Sequence, residues 1–72
     1  MNSPMLDRQF ELEDPQAGAR LVCWLRDDRR LTVGRRITLK ETGSRVWIIA
    51  KRYITVVEDA DLNRKWHVGG LK

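Results

Sequence analysis

Residues 35–41 place Ile37 and Leu39 on one side and Arg36, Thr38 and Lys40 on the other. This two-residue alternation of apolar and polar side chains describes a strand with one buried face and one wet face. The turn formers Thr42, Gly43 and Ser44 follow at once, so the chain is predicted to fold back as a hairpin. The next run, residues 45–57, reads RVWIIAKRYITVV. Its β-branched and aromatic side chains suit a pleated surface. It is too long for one flat strand in so small a domain, and a break or strong bend is expected around residues 51–54. Both faces of residues 46–50 are apolar, so the outer face is expected to need cover.

The same period appears earlier, where Leu21, Cys23 and Leu25 alternate with Arg20, Val22 and Trp24. Residues 26–30 read as a polar loop, 58–63 as a turn, 64–68 as a last short strand and 69–72 as a tail. Four or five short strands in about fifty residues favour an all-β fold, either a small barrel or a strongly curved sheet. An SH3-like barrel is the first expectation, with the polar loop in the place of a long variable loop. An OB-like barrel is the second. Closing the sheet also hides edges that invite aggregation.

Charge divides the chain. Residues 1–19 hold four acids, Asp7, Glu11, Glu13 and Asp14, against Arg8, a net of −3. Residues 20–72 hold thirteen bases and six acids, a net of +7, and the 72-residue chain totals +4. The expected organisation is an acidic N-terminal arm over 1–19 and a basic barrel domain over 20–72. The arm is read as a short helix starting at Ser3 and Pro4 or as an extended segment. Asp14-Pro15 closes either version, because the residue before proline is pushed out of the helical region.

The reactive residues are few. One cysteine, Cys23, cannot form an internal disulfide, and its place in LVCWL reads as a small buried apolar residue. One histidine, His67, is expected on a surface or strand; a Cys–His pair would also need an orienting group and an oxyanion site. A structural zinc needs about four ligands, which one Cys and one His do not supply. Glu58, Asp59 and Asp61 approach a calcium-loop pattern but lack its closing glutamate. The glycines, at 18, 34, 43, 69 and 70, have no phosphate-cradling spacing. The expectation is therefore no enzyme, no cofactor, no metal and no small-molecule substrate. No apolar run approaches the roughly 20 residues of a membrane-spanning helix, and the first residues lack a signal-peptide pattern. A reducing, cytoplasmic origin fits the single unpaired cysteine.

Certain runs carry a resemblance: Cys23-Trp24-Leu25, Asp28-Arg29-Arg30-Leu31, Val33-Gly34 and the closing Trp66-His67-Val68-Gly69-Gly70-Leu71. Over residues 21–72 the chain resembles small, mostly uncharacterised proteins of actinobacterial phages and prophages. That family often has an acidic residue in the third strand, where this chain has Lys51 or Arg52. The resemblance implies a phage origin, an all-β fold and an accessory role in the virion or in host takeover.

The leading expectation is a non-enzymatic accessory protein that binds a capsid, tail or host protein, or a second copy of itself. It would pass from the host cytoplasm to the virion. Phe10, Glu11, Leu12 and Glu13 of the arm are expected to clamp a neighbour. Arg29, Arg30, Arg35 and Arg36 are expected to face an acidic partner, with Trp66 as an exposed anchor. The alternative is a small nucleic-acid-binding module, or an inhibitor of a host nucleic-acid enzyme. There the same arginines would meet phosphates, and Trp24, Trp47, Tyr53 and Trp66 would offer stacking surfaces.

Overall fold

The computed structural model describes residues 6–58 and 66–71. They form five strands: β1 (Leu6–Glu13), β2 (Arg20–Arg26), β3 (Arg36–Leu39), β4 (Arg45–Glu58) and β5 (Val68–Leu71). A 3₁₀ turn (Lys40–Thr42) separates β3 from β4. All neighbours are antiparallel, in the order β2-β1-β4-β3-β5. The fold is all-β, a small barrel-like sheet, as the alternation predicts.

The inner face follows the two-residue period, except that in β3 Thr38, expected on the wet face, is buried as well as Ile37 and Leu39. Phe10 and Leu12 of β1, Cys23 and Leu25 of β2, Ile37 and Leu39 of β3, and Trp47 and Ile49 of β4 meet in one cluster with Leu31. Each such side chain contributes about 1.5–3 kcal/mol when fully removed from water. The β3–β4 hairpin turns at Gly43 and Ser44, both with positive φ. The Thr42 hydroxyl donates to the Leu39 carbonyl at 2.9 Å and accepts the Trp47 indole N–H at 3.3 Å. That hydroxyl lets a buried tryptophan keep its polar edge satisfied.

The N-terminal segment corrects the two-part organisation expected from charge. Residues 6–13 are neither a helix nor an arm outside a finished barrel. They form a central strand, paired with β2 on one side and β4 on the other. Phe10 and Leu12 are completely buried, and burying two large apolar side chains outweighs a few acids on the opposite face. Asp14 does not merely end this strand. Its carboxylate accepts the N–H groups of Gln16 and Ala17 at 2.9 and 3.2 Å and pairs with Arg45, so it builds the β1–β2 turn. The Ser3 helix start lies outside the described residues.

Strand β4 runs unbroken for 14 residues, but its pairing with β1 shifts twice. Phe10 stands opposite Arg52 and Arg8 opposite Val56, so Gln9 faces the three residues Tyr53, Ile54 and Thr55. At the second shift Ala50 is the extra residue, between Lys51 opposite Glu11 and Ile49 opposite Leu12. Bulges bend a strand and raise its twist without ending it, so the expected irregularity takes that form. On the outer face Val46, Ile48 and Ala50 are half-buried; Ile48 stands between Glu13 and Arg36 in the register. At the other end, residues 68–71 are a fifth strand against β3 rather than a tail. Among the described residues of the strand expected over 64–68, only Val68 is strand, and Trp66 and His67 precede it. Residues 59–65, with most of the expected turn, lie outside the described residues.

Candidate functional site

The sheet has two outermost strands, β2 and β5. Between the end of β2 with its following loop and β5 lies a cleft of about 590 Å³. The β2 side contributes Arg26, Asp27, Asp28, Arg30 and Leu31. The other side contributes Lys40, Trp66, His67 and the four residues of β5.

An ionic knot fixes the β2 side. Arg8 Nε donates to Asp27 Oδ1 at 2.9 Å, and Arg52 Nη2 donates to the same oxygen at 3.0 Å. Arg52 Nη1 also donates to the carbonyls of Leu31 at 2.7 Å and Asp28 at 3.1 Å, while its guanidinium lies 5.5 Å from the Phe10 ring centre. Three segments far apart in sequence therefore close on one carboxylate. The Arg8 hydrogen bond is the main cause holding the Asp27 carboxyl below its usual range; burial opposes it, and Arg52 assists. Next to it, Asp28 accepts the Arg30 backbone N–H at 2.9 Å and the Arg30 guanidinium at 2.7 Å. Those bonds hold its carboxyl down at about 2. Cross-strand partners Arg26 and Asp7 also pair, at 3.2 Å.

The β5 side is held by the 3₁₀ turn. The Lys40 N–H donates to the His67 carbonyl at 3.0 Å. Glu41 accepts the His67 backbone N–H at 2.7 Å and meets the ring Nδ1 at 2.6 Å. Burial pushes the Glu41 carboxyl up, yet the His67 hydrogen bonds outweigh it and leave it below its ordinary value. Position 69 is tight: a Cβ there would sit 3.0 Å from Thr38 Oγ1 and 3.3 Å from Lys40 Cγ, so those side chains would have to give by a few tenths of an ångström.

The expected site residues separate into three groups. Phe10 and Leu12 are core and touch no partner surface, because β1 is an interior strand. Glu11 and Glu13 lie on its other face, half-buried, with Glu11 3.4 Å from Arg20. Arg30 lines the cleft, whereas Arg29, Arg35 and Arg36 are exposed outside it. Trp66 is not a free anchor; it is half-buried, packs against the core and forms one wall of the cleft. Trp47 is buried, so it offers no stacking surface. Lys40 belongs to the basic set that the sequence offers, whereas Gly69 and Gly70 carry no charge or motif that points to a site. The only signal for the two glycines in the sequence is the Val-Gly-Gly-Leu run, which is apolar at its ends and bare between.

Burial pushes the Cys23 thiol up to about 12, so at neutral pH it stays protonated and is a packing residue. No group of three or more metal-ligating side chains occurs among the described residues. Asp59 and Asp61, noted for the calcium pattern, lie outside those residues. No helix among the described residues is long and apolar enough to cross a membrane. No family model, no curated protein and no solved structure matches the chain.

Proposed function

We propose that this chain is a non-enzymatic accessory protein of the phage type it resembles, acting by protein–protein binding. It would dock on a capsid or tail lattice as a minor component, in the host cytoplasm and then in the virion. One observation supports a binding role. Arg29, Arg35, Arg36 and Lys40 are exposed and make no ion pair among the described residues. Arg8, Arg20, Arg26, Arg30, Arg45 and Arg52 are each paired within the chain. Cations that form no ion pair among the described residues leave a positive field that steers an acidic surface into contact. On a repeating lattice, weak contacts of this kind add up through effective concentration.

The test is mass spectrometry of gradient-purified particles. A fixed copy number per particle is expected, with lower occupancy for Arg35→Ala combined with Arg36→Ala. Absence from particles ends the virion reading. Phosphates would draw the same arginines, so a DNA mobility shift at low salt is the second arm. A shift whose salt slope drops with those two substitutions would transfer the reading to nucleic-acid binding.

A further inference from the structure

We infer that β5 is a docking edge for an extended acidic segment of a partner protein, which adds to the sheet as a sixth strand and fills the cleft against β2. This rests on the binding role proposed above and gives it a site and a partner chemistry.

The sheet order ends at β5, whose pairing among the described residues is with β3 alone. An outermost strand presents unpaired N–H and C=O groups, and proteins usually guard it with charges, proline or a covering segment. The sequence of β5 is Val-Gly-Gly-Leu, with no charge and no proline. Its two glycines carry no side chain to hold another backbone away. All four of its residues line the open cleft, while Val68 and Leu71 also pack against the core. The cleft volume, about 590 Å³, lies within the roughly 300–1,000 Å³ range of ligand sites. Strand addition takes its affinity from main-chain hydrogen bonds and its selectivity from the pockets beside them.

The lining specifies the occupant. Both carboxylates on the β2 side are taken, Asp27 by Arg8 and Arg52, and Asp28 by Arg30. Lys40 has no ion pair among the described residues. The charge left for a newcomer is therefore positive, and it selects carboxylates. Trp66 and Leu71 supply apolar walls. A strand alternating apolar and acidic residues satisfies both features at once.

The probe is a short end-blocked peptide of alternating valine and glutamate, titrated into the isotopically labelled full chain. Amide shifts concentrated on Val68–Leu71, with slowed amide exchange there, are expected. Lys40→Glu, a surface change that leaves the core intact, should weaken binding by about tenfold, the scale of one lost charge contact. The same peptide with alternate backbone amides methylated cannot form the ladder and should not bind. Silence at millimolar peptide, shifts centred on another strand, or undiminished binding after methylation overturns the inference. So does equal binding of a valine–lysine peptide. Shifts at β5 that grow with protein concentration alone identify a second copy as the occupant, and they too overturn it. If particle association persists while the titration is silent, the docking edge is discarded and the accessory role stands.

Discussion

In the first half of β4, Trp47 and Ile49 are buried, and the strand lies between β1 and β3. In the second half, Ile54, Val56 and Val57 are exposed, and β1 is the paired neighbour among the described residues. Both halves are rich in β-branched residues, so composition does not separate them. Propensity makes both halves strand, while neighbours on the two edges decide which half becomes core. Arg52 stands at the boundary, and its bonds to Asp27, Asp28 and Leu31 tie the flanking loop to the point where burial ends.

Three substitutions would break or sharpen this contrast. The largest effect is expected from Ile49→Ala, which removes a fully buried side chain. It should cost about 2–5 kcal/mol in urea unfolding, and a loss below one kcal/mol would show that the near half is not the core. The boundary comes next. Asp27→Asn removes the charge that two arginines share, and it should cost roughly 2 kcal/mol at neutral pH, the scale of lost charged hydrogen bonds. The pH dependence has a definite sign. Because the folded carboxyl is held below its ordinary value, its contribution is full above the unfolded pKa of about 4. It is lost as pH falls through the lower folded value. The acid limb of the melting profile should thus be shallower for Asp27→Asn, and superimposable acid limbs would count against the knot. The smallest effect belongs to the far half. Ile54 is 91 % exposed, and Ile54→Ala should change stability by less than about 0.5 kcal/mol. A larger loss would mean that this half packs against something.

The hairpin around Gly43 and the inward set Leu21, Cys23, Leu25, Ile37 and Leu39 are legible in the sequence, because period two reports burial directly. The same period stands in Phe10-Glu11-Leu12-Glu13. There the surplus of acids and the two prolines suggest an arm, and the alternation is the better guide. Those glutamates lie on the wet side of β1, next to Arg20. Composition reported their charge but not which way they point. The Arg8–Asp27–Arg52 knot has no local signal, since its members meet only through the registers of β1 with β2 and of β1 with β4. The cleft is hidden for the same reason. Lys40 and Trp66 become neighbours only once β5 is laid against β3.

The sealed position of Cys23 makes the chain its own clock. A thiol reagent reaches the sulfur only in moments when β2 parts from the core cluster, so the labelling rate counts those excursions. Any molecule that clasps the two rims together would slow that count without touching the sulfur.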